Sequence, residues 1–506
     1  MKFFLVDYYF LYLIVLSIFA VMFVNFKKLY FSSKIKKIFK ITNFFKLTIN
    51  NVLFLIFKIG LTFILLSIFC NSCISEVDSF FFNVNYNVAV CSKIYFFLFL
   101  YFFIFLYEYY STIFKWASSE HLILFFFSVF ALTIICQATN FINFYIIIEI
   151  YSLGIISSVV LKKFNKKLVE SSFKYLVVNI ISSCFILFGI SIIFAFTGFL
   201  DFYNLKLFFF YNNFEVDPQI IYIYYGLFLF LLGFIIKLVL FPFSLWFVKI
   251  YYSFPIPYVF FLLIFPKFIF LTILINLSFF VFNQHDELFF SVIFALTLVM
   301  SVVHNFLAIY QNKFKNLIIN LSFANAPFFF LPLFYKSFFF LVSFFNFFLI
   351  YFFNLFCFFF IILFLYSKNF SMLHKKLSSL VGIFYINKYL TFLILVNFLS
   401  LAAIPPFSGF FAKFYLFVFL INSGSFYLYF FLAIFNLLVV YCYIRLIRLF
   451  FIKKSNFAIK NISIKKKAPL LILMFLTFLN IFFVFIFDFL FQFNTLLLFF
   501  FHYSFN

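Results

Sequence analysis

An apolar stretch of about 20 residues is long enough to cross a bilayer as a helix, and this chain is built from little else. Candidate spans fall near 3–25, 52–72, 94–114, 122–138, 141–161, 173–198, 220–246, 256–281, 288–309, 317–334, 337–366, 389–420, 426–451 and 468–500. No soluble domain or long linker interrupts the series of fourteen. In hydrocarbon a helix satisfies its own backbone groups, so such a pattern specifies an all-α polytopic membrane protein. The first span is too long for a signal-peptide core, and no small-residue cleavage site follows it.

Composition supports the same class. Hydrophobic residues make up 68% of the 506 and charged residues 10%, with a mean hydropathy of +1.23. Soluble domains are nearer half apolar and a quarter charged. So few charged side chains cannot coat a soluble surface, which excludes a cytosolic enzyme and a nucleic-acid binder. The net charge of +23 fits basic loops beside anionic lipid, cardiolipin among them. Phe accounts for 111 residues and Gly for only 9. Phe, Tyr, Ile, Asn and Lys have AT-rich codons, so drift in an AT-rich genome explains the excess. Much of the aromatic content is then expected to face lipid, and an organellar gene, hence a mitochondrial inner membrane, is favoured over a bacterial plasma membrane.

Loop charge tests the span count. Odd-numbered loops carry Lys27, Lys28, Lys34, Lys36, Lys37, Lys40 and Lys46, then Lys162, Lys163, Lys166 and Lys167. Lys313 and Lys315, then Lys368, Lys375, Lys376 and Lys388, and finally Lys453, Lys454, Lys460, Lys465, Lys466 and Lys467 continue the series. Even loops hold Glu76, Asp78, Asp201, Glu215, Asp217, Asp286 and Glu287, against Lys93, Lys206 and Lys336. Under the positive-inside bias the odd loops face the matrix or cytoplasm, and both termini face the other side.

An ion at mid-bilayer costs about 2.5–3.5 kcal/mol on insertion scales, so Lys58, Glu108, Glu149, Lys237, Lys267, Lys413 and Asp488 each need a reason. Lys58 can snorkel, Glu108 lies late in its span, and the neighbours of Asp488 suggest no chemistry. Lys237 and Lys413 are different. Pro242 follows the first, and Pro405, Pro406 and Gly409 precede the second. Proline breaks the helical ladder, and irregular backbone at membrane depth survives only inside protein or along a cavity. Two interrupted, Lys-bearing spans five helices apart point to inverted five-helix repeats. Residues 1–114 would hold helices 1–3, 115–281 and 282–451 the two repeats, and 452–506 the last helix. Burial favours the neutral form of an amine, and a nearby carboxylate such as Glu149 favours the charged one. Such a pair can load and release protons without a redox centre.

Cys70 and Cys73 form a CxxC, but no second CxxC or His pair lies nearby to complete a metal site. Cys91, Cys136, Cys184, Cys357 and Cys442 are scattered along apolar stretches and read as small hydrophobes. No phosphate loop, dinucleotide motif, or haem or iron–sulfur spacing occurs, so no cofactor is expected on this chain.

Four blocks carry a resemblance. They are EIYSLGIISSVVLKKFNKKLVESSFKYLVVNIISSCFILFGISIIFAFTG, KLVLFPFSLWFVKIYYSFPIPYVFFLLIFPKF, QNKFKNLIINLSFANAPF and SLAAIPPFSGFFAKFYLF. In order, over about 130–451, they resemble NADH–ubiquinone oxidoreductase chain 2, an antiporter-like proton-pumping subunit family of respiratory complex I. The resemblance implies fourteen helices and proton translocation coupled to quinone reduction. It also implies membrane-arm and accessory subunits as partners, with FMN, iron–sulfur clusters and ubiquinone held elsewhere in the complex. By the same resemblance, Glu149 matches the family's essential glutamate and Lys237 its partner in the broken seventh helix. Lys267 matches the lysine linking two half-channels, and Lys413 the lysine of the broken twelfth helix. Lys174 matches as well, near a span end. Four positions depart: Ser244 and Asn325 stand where the family has His, Lys249 replaces an acid and Asn316 an Arg. In addition, His304 stands where Gly is usual.

Rival readings are a free-standing cation/proton antiporter subunit, another antiporter-like subunit of the same complex, and a non-conducting scaffold. Chain 4 typically has Glu at the place of Lys413, and chain 5 adds a long lateral helix for which this chain has little room. Co-purification with flavin and iron–sulfur subunits separates respiratory complex from free antiporter.

The charge asymmetry generates a first test. With the native cysteines replaced by serine, a Lys37→Cys variant should stay unlabelled when a membrane-impermeant thiol reagent reaches intact organelles from the intermembrane-space side. Labelling there contradicts the topology.

Overall fold

The computed structural model describes residues 53–62, 85–114, 119–161, 166–211, 219–280, 287–366, 383–386 and 388–452, with isolated positions elsewhere. Almost all of spans 3–25 and 468–500, the lysine-rich loops at 27–46 and 453–467, Cys70, Cys73 and Asp488 lie outside the described residues.

Among the described residues the fold is helical, apart from one isolated bridge between Asn140 and Asp201. The chain forms two compact units, 1–238 and 239–506. The first contains α1 (Leu53–Thr62), α2 (Asn85–Phe114), α3 (Ser119–Ile135), α4 (Phe141–Val160), α5 (Lys166–Thr197), α6 (Phe202–Tyr211) and α7 (Gln219–Lys237). The second contains α8 (Ser244–Ser253), α9 (Ile256–Phe280), α10 (Glu287–Tyr310), α11 (Phe314–Ala324), α12 (Ala326–Tyr335), α13 (Phe338–Tyr366), α14 (Ile383–Ile386), α15 (Lys388–Leu401), α16 (Ser408–Asn422) and α17 (Phe426–Phe451). Eight described stretches are long and apolar enough to cross a membrane, α11 and α12 counting together as one. The protein is therefore a multi-pass membrane protein. On α17 the outward stripe is Tyr427, Phe430, Ile434, Leu437, Tyr441 and Ile444, all exposed. Apolar side chains repeating every three or four residues on an open face suit lipid contact.

In the first unit α5 and α7 approach closely through small residues. A Cβ on Gly233 would lie 2.7 Å from the Ser182 carbonyl oxygen, and one on Gly189 would lie 2.5 Å from the Phe230 nitrogen. This is the small-residue packing expected where dispersion, rather than water exclusion, joins helices. The second unit packs differently. Its central helix, α9, is buried along Ile256–Ser278 except at Asn276, which is half-buried. Phe260 meets Phe352, Phe356 and Phe359 of α13 at 5.4–6.2 Å between ring centroids. Phe268 meets Phe344, Phe345 and Phe348 at 4.8–6.2 Å. These rings are buried, while other aromatic side chains such as Phe173, Phe188, Phe306 and Phe430 are exposed. In a chain so poor in glycine, interlocking rings take over helix contacts that small residues make elsewhere.

Both proline-bearing spans are interrupted. α7 stops at Lys237 and α8 restarts at Ser244, while α15 stops at Leu401 and α16 restarts at Ser408. The two breaks share one local plan. The second residue past the helix is left-handed, Val239 at φ 61° and Ala403 at φ 57°. The fifth is a cis-proline, Pro242 and Pro406. The seventh is a serine that opens the next helix. Backbone bonds match as well: Leu238 N–H donates to the Phe234 carbonyl, and Ala402 N–H to that of Phe398.

Two lysines expected in loops lie inside the fold. Lys93 is within α2 and only 1% exposed. Lys315 is buried at the start of α11, where its ammonium donates to the carbonyls of Tyr252, at 2.7 Å, and Phe254. These groups end α8, where orphan carbonyls and the negative end of the dipole attract a cation. A lysine at a span edge cannot be told from a loop lysine by hydropathy alone, because its alkyl stem is as apolar as its neighbours.

Two stability changes follow. A Cβ at Gly409 would sit 1.8 Å from the Ser400 carbonyl oxygen, so Gly409→Ala should sharply lower the amount of folded protein recovered from membranes. Lys315→Met strands two buried carbonyls and should destabilise by about 1–3 kcal/mol, read as a lower unfolding midpoint in detergent.

Candidate functional site

In the first unit, α4 and α7 pack in step. Phe141 meets Phe230 at 5.1 Å, and Phe144 stacks on Phe234 at 5.3 Å. Continuing the same seam brings Glu149 to Lys237, with Nζ 3.6 Å from Oε1. The lysine side chain is 3% exposed and the glutamate 25%. Neither Nζ nor that Oε1 makes a hydrogen bond, so the contact is an ion pair across a gap just beyond bonding distance. A gap of this size is spanned by a small side-chain movement or by one bridging water. Lys237 is the last residue of α7, where the helix dipole also favours a cation.

The other two predicted lysines lie in the second unit, each with its own partners. Lys267 follows Pro266 in α9, is 8% exposed, and holds its ammonium 4.2 Å from the centroid of the Phe323 ring. A ring face offers a cation partial compensation for lost water. Lys413, in α16 and 5% exposed, donates to Asn436 Oδ1 at 2.6 Å and Asn325 Oδ1 at 3.1 Å. Phe328 lies beneath it, with the centroid 4.9 Å from Nζ. Its bonded partners are thus neutral amides, whereas Lys237 faces a carboxylate.

Asn325 can serve Lys413 because it sits at a break missed in the sequence, where span 317–334 reads as one helix. α11 ends at Ala324 and α12 begins at Ala326. The Asn325 side-chain amide donates to the Leu321 carbonyl at 3.2 Å, which turns its Oδ1 toward the lysine. The available signal was Pro327 in the first turn of α12, since proline is favoured where a helix begins.

Sequence reasoning also left His304 without a role. It is fully buried on α10, with Nε2 2.8 Å from Ser244 Oγ and Nδ1 3.0 Å from Asn320 Oδ1. Its ring lies 5.0 Å from that of Phe323. Lys58 and Glu108, treated separately in the sequence, form a partly buried ion pair. Lys174 pairs with Glu170 one turn away at 2.5 Å, both well exposed.

Among relatives, the chain is 24% identical over 325 residues to NADH-quinone oxidoreductase subunit N of Buchnera aphidicola, covering 64% of this chain and 66% of that protein. It is 23% identical over 368 residues to NADH-ubiquinone oxidoreductase chain 2 of Marchantia polymorpha, covering 72% and 74%. The fold is similar to that of a chain in respiratory complex I from Thermus thermophilus, with TM-score 0.67, 18% identity, and 87% and 93% coverage. It is also similar to a chain of the archaeal membrane-bound sulfane sulfur reductase, with TM-score 0.75, 16% identity and 96% coverage of each. A chain of the Mrp complex from Dietzia gives TM-score 0.62 at 15% identity, covering 72% and 67%. Residues 138–439, from the start of α4 well into α17, match one family throughout. The chain belongs to the NADH:quinone oxidoreductase/Mrp antiporter transmembrane family.

Proposed function

We propose that this chain is a proton-translocating membrane-arm subunit of a respiratory NADH:quinone oxidoreductase, of the subunit N or chain 2 type. The observation that carries the reading is the setting of the buried cations. Lys237 and Lys413 each lie beside a helix interruption of the same plan, and Lys267 follows a proline inside a buried helix. Intramembrane cations are costly and mark ion pathways. Glu149 and Lys237 would exchange charge states as a pair, while Lys267 and Lys413 would load protons against an aromatic face and neutral amides. Proton uptake at one lysine raises the cost of uptake at a neighbouring one, which lets occupancy pass along a series of sites. The matching breaks support an internal duplication with helices 4–8 and 9–13 as its halves, within a fourteen-helix whole.

On this reading the chain holds no cofactor. FMN, iron–sulfur clusters and ubiquinone belong to other subunits of the complex, and the redox step happens there. Its partners would be membrane-arm and accessory subunits and anionic lipid. AT-driven composition favours a mitochondrial inner membrane, and the relatives with bacterial names support a bacterial plasma membrane as the alternative. The likeness to the Mrp complex supports a second reading, a subunit of a free-standing cation/proton antiporter. That protein would purify without flavin or iron–sulfur subunits.

Lys267→Ala should leave the complex assembled but slow proton pumping by about tenfold, equivalent to roughly 1.4 kcal/mol on the limiting barrier. Replacing Lys58 and Glu108 together by glutamines removes a charge pair remote from these lysines in sequence and should change pumping little. Equal, small effects of both changes would favour a scaffold role. Pumping is read as acidification by inverted vesicles or proteoliposomes, against NADH oxidation in the same sample.

A further inference from the structure

We propose that His304 is a proton-holding relay residue, fed through the Ser244 hydroxyl and electrostatically tied to Lys267 across the Phe323 ring. The proposal rests on the proton-translocating reading above and adds a group to it. Three helices build the site. Ser244 opens α8 directly after the first break, His304 comes from α10, and Asn320 and Phe323 come from α11. Ser244 and His304 are fully buried and Asn320 nearly so.

The hydrogen-bond chemistry fixes the state of the imidazole. The Asn320 oxygen can only accept, so Nδ1 carries the proton and donates to it at 3.0 Å. Nε2 then has a free lone pair and accepts from the Ser244 hydroxyl at 2.8 Å. Of the three hydrogen-bonded side chains, the imidazole alone has a basic lone pair that can take up a proton and return it. When Ser244 passes its proton to Nε2, its oxygen would take one in the same step from a protonated water chain reaching the start of α8, so the site gains one proton and no hydroxide or alkoxide is left behind. The Nδ1–H bond to Asn320 persists and stabilises the imidazolium. Release reverses these steps, and no electrons move.

Phe323 links this site to Lys267. The lysine ammonium lies 4.2 Å from the ring centroid, and the imidazole centroid lies 5.0 Å from the same point. The two groups can be no farther apart than these distances laid end to end. Within buried surroundings like charges at that range repel, so loading His304 promotes proton loss from Lys267, and the reverse.

A purely structural histidine would need only its two hydrogen bonds, which suggests the test. Gln at this position keeps one donor and one acceptor but cannot hold a proton. The experiment compares wild type, His304→Gln, Lys267→Ala and the exchange Ser244→His with His304→Ser, each in the assembled complex in native membranes. His304→Gln should assemble normally and pump about tenfold or more slowly, as befits loss of an acid–base group. The exchange should recover much of the pumping, because it returns the imidazole to the same place from the other side. Normal pumping by His304→Gln together with impaired pumping by Lys267→Ala overturns this proposal and leaves the translocation reading intact. Normal pumping by Lys267→Ala overturns that reading itself. If His304→Gln fails to assemble, Ser244→Ala takes its place: assembled but slow pumping supports the relay, and wild-type pumping rejects it.

Discussion

Inside a membrane, every backbone group that leaves a helix and every charge that leaves water has to find its partner within the protein. That constraint accounts for where the irregularities of this chain fall and for what surrounds them. The break after Lys237 restarts at Ser244, whose hydroxyl meets His304. The break after Leu401 restarts at Ser408, whose hydroxyl donates to Asn480 at 3.1 Å. Nearby, Ser400 donates to Asn354 at 3.1 Å. At the third interruption the Asn325 amide donates to the Leu321 carbonyl and its oxygen accepts from Lys413. Asn and Ser, weak helix formers in water, are concentrated here because they carry both donors and acceptors on a short stem.

The same constraint separates the lysine environments. Lys237 has a formal counter-ion, so its charged form is balanced at a distance of 3.6 Å. Lys413 has two oxygen acceptors and an aromatic ring. Amide oxygens solvate an ammonium without neutralising it, so the protonated site keeps a net positive charge. Lys267 rests on a ring face, a weaker partner than an amide oxygen for a compact ammonium. Three lysines with similar burial therefore pose three different electrostatic problems, set by one carboxylate, two amides and a phenyl ring.

Much of this was legible in the sequence. Pro242, Pro405 and Pro406 announced the two breaks, although Pro266 lies inside the continuous α9, so proline alone does not decide where a helix is interrupted. Glu149, Lys237, Lys267 and Lys413 stood out because charge in an apolar run is rare. The Asn325 break was hidden, since its effect comes from a side-chain amide and Pro327 in the middle of a stretch whose hydropathy suits one continuous span. Lys93 and Lys315 were hidden because burial at a span edge depends on what packs there. The Phe-filled interface of α9 and α13 was hidden for a related reason. A helix that is apolar all round shows no periodicity to tell a lipid face from a protein face. His304 was visible as an oddity, but its partners lie 60 and 16 residues away in sequence, beyond the reach of any local pattern.

The grip of α11 on α8 has a mechanical side. Lys315, near the start of α11, holds the carbonyls that end α8. Asn320, one turn and a half further on, reaches Ser244 at the opposite end of α8 through His304. One tip of α8 is thus tied to α11 directly and the other through the imidazole of α10, so a displacement of either neighbour bears on α8 at a different end.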